Sequence, residues 1–105
     1  MSANITPQKI TEQLATLEHP EINNTLMELG MLHDIKYDAA QKEVSLVLAL
    51  PMLDIAESVR NYLINSIYLA IEPLGISPKI YLARMTDSER EHFFSLSQKN
   101  WKAGF

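Results

Sequence analysis

The chain has 105 residues, of which 47% are hydrophobic and 21% are charged, so its length and composition predict one globular domain with a single core. Its formal net charge of -4 disfavours binding to polyanions, and we expect no nucleic-acid partner. The sequence contains no cysteine, which excludes disulfides, thiolate catalysis and any iron–sulfur site ligated by cysteines of this chain.

The sequence also argues against a membrane protein. Its amino-terminal residues lack a charged segment followed by an apolar block, so we expect no secretory signal. The apolar run at residues 44–53 is far too short to cross a bilayer. With no cysteine to form disulfides, these features favour a cytoplasmic protein without a membrane partner.

Residues 7–18 predict the first helix. Thr6 can cap it, and Pro7 suits the first helical position, where its missing N–H costs no hydrogen bond. A buried face at helical spacing is predicted for Ile10, Leu14 and Leu17. Pro20 disfavours the helical conformation at His19, and we expect the helix to end there.

A short helical turn and a hairpin follow. Residues 22–30 predict one turn, with Asn24 or Thr25 as its cap and Gly30 in a left-handed exit. Residues 31–38 and 43–50 predict two strands, and the short link between them predicts an antiparallel hairpin. Alternation in the second strand predicts an inward face made of Val44, Leu46, Leu48 and Leu50.

The first of these strands does not alternate cleanly. Leu32 and His33 point to opposite sides, but Ile35 then falls on the side of His33 and Tyr37. The pattern therefore leaves the inward face of this strand undefined.

The longest predicted helix covers residues 55–72. Asp54 followed by Glu57 is a variant of the capping box and favours a start at this point. Pro73 and Gly75 favour its end. Its predicted inward face, at helical spacing, consists of Val59, Leu63, Ile67 and Ile71.

A third strand and a last helix complete the chain. Residues 77–84 predict the strand, whose two sides carry Ile80 and Leu82, and Tyr81 and Ala83. Thr86 and Glu89 form a capping box, which predicts a helix reaching about Asn100. We expect its inward side chains to be Phe93, Leu96 and Trp101.

The element order is helix, strand, strand, helix, strand, helix. It predicts an α+β fold of two layers, in which a small three-stranded mixed sheet has helices packed on one face. We expect a single domain over residues 1–105, with residues 86–105 as a C-terminal helical extension.

No residues form a self-sufficient catalytic or metal site. The three histidines, His19, His33 and His92, lack metal-ligand spacing, and we interpret His92 as a solvated surface residue. We interpret Asp54 as a cap rather than a catalytic group. Glu21 can act in acid–base chemistry if it lies buried beside a substrate, or can accept backbone N–H bonds. We expect no enzymatic activity, no cofactor and no metal.

Two stretches carry a family resemblance. The sequence from Ile10 to Asp38 contains HPE and ELGMLHDI, and the sequence from Val44 to Ile71 contains a strand, a proline elbow and a long helix. Together they resemble the SufT-like metal–sulfur cluster biosynthesis domain, which also occurs at the N-terminus of Mrp/ApbC-type ATPases. The resemblance covers most of residues 6–84, and the last 21 residues look like an extension that some members carry.

The resemblance implies the iron–sulfur-assembly α+β fold and a role in maturation of iron–sulfur or related cofactors. It places the positions of the family's polar site at His19, Glu21, Ala49, Leu50, Pro51, Leu53 and Asp54. Only Glu21 and Pro51 keep the family's residue type. Leu53 stands where relatives have a reactive cysteine, and a leucine side chain cannot ligate iron. The candidate binding residues are therefore His19, Glu21, Pro51, Met52, Leu53 and Asp54.

Three interpretations stay open. In the first, which we rank highest, the chain is a diverged assembly accessory protein, an adaptor that binds iron–sulfur assembly or client proteins without a cysteine-bound cluster. In the second, it binds a metal or small molecule through His19, Glu21 and His33. In the third, it is an interaction domain unrelated to cluster assembly that can form a homodimer. Met52 and Leu53 can form an apolar contact surface, or Leu53 can fill the core.

Overall fold

Helices and strands follow one another in the order expected from the sequence. The structure, a computed structural model, describes residues 5–52 and 55–101. Within these residues the elements are α1 Pro7–Leu14, β1 Leu32–Asp38, β2 Glu43–Leu50, α2 Glu57–Ile71, β3 Ser77–Arg84 and α3 Asp87–Asn100. A 3₁₀ turn, Glu72–Leu74, follows α2. The predicted α+β class is confirmed.

The mixed three-stranded sheet has β2 at its centre. β1 pairs with β2 in antiparallel orientation, so the predicted hairpin is confirmed, and β3 pairs with β2 in parallel. The four predicted inward residues of β2 have no exposed surface, as is expected for a central strand covered by helices: Val44, Leu46, Leu48 and Leu50.

A β-bulge in β1 explains its irregular sequence pattern. The pairing register with β2 shifts between His33 and Lys36, and Asp34 inside the shift has a φ of 54°. The extra residue allows Leu32 and Ile35, three positions apart, both to pack against the core. A regular strand would send these two side chains to opposite faces.

The core contains the apolar faces expected for the helices. α1 and α2 contact each other, α1 contacts β1, and α2 contacts β3. The fully buried helix residues are Ile10, Leu14, Leu63, Ile67 and Ile71. Each such side chain contributes about 1.5–3 kcal/mol by leaving water. Phe93 joins α3 to the same buried cluster.

α1 is shorter than predicted. Thr6 caps it by accepting the Lys9 N–H, as expected, but the helix ends at Leu14 and not at residue 18. The backbone N–H groups of Thr16 and Leu17 instead donate to the carbonyl oxygens of the residues three positions earlier. The Leu17 carbonyl accepts the N–H of Leu26 at 2.8 Å, so the chain is tied to the next segment and leaves the helix axis.

The predicted turn after this break is confirmed, and Gly30 has the left-handed φ of 75°. Thr25 is its cap: its hydroxyl accepts the Glu28 N–H at 3.1 Å, while a Glu28 carboxylate oxygen accepts the Thr25 N–H at 2.8 Å. This is a reciprocal pair of the capping-box type. These two bonds and the Asn24 side chain hold the pKa of Glu28 below its ordinary value, the Thr25 backbone bond being the largest cause.

α2 begins two residues later than predicted. Its cap position is Ala56, which makes no side-chain capping bond, and Glu57 is the first helical residue. The predicted capping role of Asp54 lies outside the described residues. The end of the helix agrees with the prediction, because Pro73 enters the 3₁₀ turn and Gly75 follows with a φ of 77°.

β3 is an edge strand, and both of its sides remain partly open to solvent. Tyr81 is 54% exposed and Leu82 is 47% exposed, so the predicted alternation does not produce a buried side. The capping box of α3 is confirmed in both directions, between Thr86 and Glu89. No helix in residues 5–52 and 55–101 is long and apolar enough to span a membrane.

Candidate functional site

A pocket of about 230 Å³ lies where four parts of the chain meet: the break after α1, Met31 before β1, the segment from the elbow after β2 into the first turn of α2, and α3 with the residue that follows it. It is lined by His19, Glu21, Ile22, Met31, Pro51, Ile55, Ala56, Val59, Phe93, Phe94, Ser97 and Trp101. Three of the six candidate binding residues, His19, Glu21 and Pro51, therefore meet at one place.

The other three candidates are Met52, Leu53 and Asp54. Met52 is 42% exposed and does not line the pocket. Leu53 and Asp54 lie outside the described residues, so whether Leu53 fills the core or contributes to a surface stays open.

His19 is buried and has a structural role. Its side chain is 5% exposed, and its Nδ1 accepts the backbone N–H of Glu21 at 2.9 Å. An accepting Nδ1 carries no proton, which fixes the neutral ring as the tautomer protonated on Nε2. The ring also packs edge-on against Phe93, with centroids 6.2 Å apart. Pro20 between the two bonded residues helps to hold this tight turn.

Glu21 lies at the solvent-exposed edge of the pocket. Among the described lining residues it is the one with a formal negative charge, and none of them is lysine or arginine. Because its side chain is exposed, Glu21 is not the buried acid–base group that one sequence interpretation required. Its position suits recognition of a positively charged group at the pocket mouth.

α3 provides the aromatic wall, which the sequence analysis did not anticipate. Phe93 is buried, whereas its neighbour Phe94 is 39% exposed, and the two rings meet edge-on at 5.5 Å. Trp101, expected to face inward, is 40% exposed at the rim. The signal in the sequence was the consecutive Phe93 and Phe94, because adjacent helical residues cannot both face one core.

The end of α3 is tied to the break after α1. Asn23 donates its N–H to the Asn100 carbonyl at 2.7 Å, and the Asn100 side chain donates to Asn24 Oδ1 at 2.8 Å. Ile22 and Trp101 form an isolated bridge beside these bonds. The aromatic wall is thereby held against the segment that carries His19.

The structure does not bring His33 to this pocket. His33 Nδ1 lies 3.2 Å from Asp34 Oδ2, and its Nε2 lies 3.9 Å from Glu89 Oε2. His92 is exposed, as predicted, and its Nε2 lies 2.9 Å from the Glu28 carbonyl oxygen. Among the described residues, no three His, Asp or Glu side chains are grouped so as to hold a metal ion.

The residues present do not fit an iron–sulfur cluster. Such clusters are held by thiolates, with histidine as an occasional replacement, and the sequence has no cysteine. Among the described lining residues the potential metal ligands are His19 and Glu21, and the Nδ1 of His19 already accepts a hydrogen bond.

A second depression, of about 550 Å³, lies along the outer side of α3. All of its described lining residues belong to that helix: Asp87, Arg90, Glu91, Phe94, Ser95 and Gln98. A space lined by a single helix is a shallow groove between side chains rather than an enclosed site. The pocket beside His19, which several parts of the chain line, is therefore the better candidate.

Comparison with known proteins gives a likeness in fold. The fold is that of a small α+β domain in which the central strand β2 pairs in antiparallel orientation with β1 and in parallel with β3. A solved structure with this fold is the crystal structure of a domain of unknown function, DUF59, from Bacillus anthracis, with a TM-score of 0.60. It shares 12% sequence identity, and the match covers 87% of this chain and 91% of that chain. No protein-family model and no curated protein matches the sequence.

Proposed function

We propose that the protein is a diverged accessory protein of iron–sulfur cluster assembly, an adaptor that contacts assembly or client proteins. The observation that carries the proposal is the fold shared with the DUF59 domain over 87% of the chain. DUF59 is the family of the SufT/PaaD-like iron–sulfur assembly domain. The sequence resemblance described above supports the same role.

The chemistry of the chain favours contact over cluster binding. The chain has no cysteine, and the residues of the pocket suit an apolar contact better than a metal. The Nδ1 of His19 is held in a structural hydrogen bond and Glu21 is exposed, so we assign an acid–base role to neither residue. An adaptor without enzymatic turnover, working in the cytoplasm, is therefore the function we propose.

Self-association unrelated to cluster assembly is a second candidate. On α2, Leu69 is 73% exposed and Tyr62 is 51% exposed, and their spacing of seven residues places them on one side of the helix. Exposed apolar pairs of this kind occur at contacts between proteins. A sedimentation equilibrium measurement that finds a dimer, which Leu69→Lys converts to a monomer, would favour this candidate.

The adaptor proposal is tested in cells that lack the protein. Activities of several iron–sulfur enzymes are measured in extracts before and after anaerobic reconstitution with iron and sulfide. We expect these activities to be low before reconstitution and normal after it, because the enzymes are present but lack part of their iron–sulfur clusters. Re-expression of the wild-type chain should restore the activities. Fully loaded enzymes in the deleted cells, under both iron-replete and iron-limited growth, would contradict the proposal.

A further inference from the structure

The size of the pocket beside His19 indicates what it can receive. Its volume of about 230 Å³ is below the roughly 300–1,000 Å³ of pockets that hold drug-sized ligands. A space of this size suits one large apolar side chain. Val59 and Phe93 belong to its apolar walls, and Phe94 and Trp101, each about two-fifths exposed, leave it open on one side.

The charge at the mouth of the pocket indicates what must lie beside that side chain. Glu21 is exposed there, and no described lining residue carries a compensating positive charge. The chain as a whole has a formal net charge of -4. A cationic group is therefore attracted to the mouth and an acidic group is repelled.

We propose that the pocket binds a protein segment in which a large apolar residue stands next to lysine or arginine. The apolar side chain enters the pocket, and the basic side chain pairs with Glu21 at its mouth. That the ligand is a protein segment rests on the proposed adaptor function. The chemistry of the segment rests on the size, lining and charge of the pocket alone.

The chain contains its own reporter for this binding. Trp101 is the single tryptophan of the sequence and lines the pocket, so its fluorescence responds to an inserted side chain. The probe is the peptide acetyl-Gly-Ser-Phe-Lys-Ser-Gly-amide, titrated into the full-length protein. We expect a saturable change in Trp101 emission. The absence of a saturable change at millimolar peptide would overturn the proposal.

Two altered peptides separate the apolar and the ionic contributions. Replacing phenylalanine by alanine should weaken binding by about tenfold or more, because the anchor is lost. Replacing lysine by glutamate should weaken it by about two- to fivefold, as for a solvent-exposed ion pair. Equal binding of all three peptides would overturn the proposal. So would phenethylamine binding as tightly as the peptide, which would assign the pocket to small amines.

Matched variants locate the binding on the protein. Ser97→Phe fills the pocket, whereas Ser95→Phe makes the same change on the outer side of the same helix. We expect the first to abolish binding and the second to preserve it, with circular dichroism showing both folded. Unchanged binding by a folded Ser97→Phe protein would overturn the proposal.

Charge reversal gives a second test that does not depend on the packing of the pocket. Glu21→Lys should reverse the preference, so that the glutamate peptide binds more tightly than the lysine peptide. Glu12→Lys, an exposed residue of α1 that does not line the pocket, changes the net charge equally and should leave the preference unchanged. A preference for lysine that survives Glu21→Lys would overturn the proposal.

The outcomes for the peptide and for the cluster-assembly function are separable. Peptide binding with normal cluster loading in deleted cells would reject the assembly role and keep the pocket's specificity. Impaired loading in deleted cells without peptide binding would keep the assembly role and reject the pocket's specificity.

Discussion

His19 is buried, and its ring is held by the backbone of Glu21, two residues further along the chain. Its Nδ1 accepts the Glu21 N–H, and its ring packs on Phe93. Both contacts fix the shape of the pocket wall where the family resemblance placed a polar residue. At this position the sequence supplies a structural group, which agrees with a site that works by contact.

Replacement of His19 by leucine is the first prediction. His19→Leu replaces the ring with an apolar side chain and leaves the Glu21 N–H without its acceptor, so we expect the free energy of unfolding to fall by about 1–3 kcal/mol. His19→Asn should lose less of the hydrogen-bond contribution, because its amide oxygen can accept the same N–H. Urea denaturation measures both. Equal free energies of unfolding for His19→Leu and the wild-type protein would show that this hydrogen bond does not contribute to stability.

At the level of elements, short capping pairs define where helices begin. The Thr86 hydroxyl accepts the Glu89 N–H at 3.2 Å, and a Glu89 oxygen accepts the Thr86 N–H at 2.8 Å. Thr25 and Glu28 repeat this arrangement at the turn before β1. Both pairs are local in sequence, and they stabilise ends that would otherwise leave backbone N–H groups without partners.

Loss of the Thr86 hydroxyl is the second prediction. Thr86→Ala removes the cap of α3 and should lower the free energy of unfolding by about 0.5–2 kcal/mol. Ser95→Ala, on the exposed face of the same helix, is the matched control and should change little. Thermal unfolding followed by circular dichroism compares them. Similar melting temperatures for the two variants would argue against the cap.

The glutamates of both pairs give a pH-dependent prediction. Backbone and hydroxyl bonds from Thr86 hold the pKa of Glu89 below its ordinary value of 4.5, and the Thr25 backbone bond does the same for Glu28. A carboxylate with a lowered pKa in the folded state stabilises the protein above pH 4.5. That stabilisation is lost as pH falls through the folded-state pKa.

Glu28→Gln and Glu89→Gln should therefore be less stable than wild type at neutral pH, and the difference should shrink below pH 4.5. Urea denaturation at a series of pH values measures the difference. A deficit that stays constant down to strongly acidic pH would show that the carboxylate charges are not involved.

At the level of the whole molecule, features set by residues close together in sequence could be predicted, whereas features that depend on contacts between separate segments could not. The alternation of β2 and the Thr86–Glu89 box are local, and both predictions are confirmed. The early end of α1 is followed by the bond from Leu26 to Leu17, which helical periodicity in the sequence does not report. The bulge in β1 depends on its pairing with β2.

The candidate site shows the same division. The family resemblance selected His19, Glu21 and Pro51, and the fold places all three at one pocket. The contribution of α3 was missed because the bridge between Ile22 and Trp101 joins residues far apart in sequence. No local pattern reports such a contact. The single-domain organisation, with residues 86–105 as an extension, stays a prediction.

Cluster reconstitution gives a prediction for the purified molecule. After anaerobic incubation with iron and sulfide, followed by desalting, we expect no visible-region charge-transfer absorbance and no stoichiometric iron. The reason is that the chain has no thiolate. A stable, stoichiometric iron species that is lost in His19→Asn and Glu21→Gln variants would show that the chain holds metal itself.

We propose that the protein serves cluster assembly through contacts made at the pocket beside His19. This is tested by measuring the cluster content of iron–sulfur enzymes in deleted cells that express either Ser97→Phe or Ser95→Phe at equal levels. We expect Ser95→Phe to restore cluster content and Ser97→Phe to leave it low. Full restoration by Ser97→Phe would show that the pocket is not needed for cluster assembly.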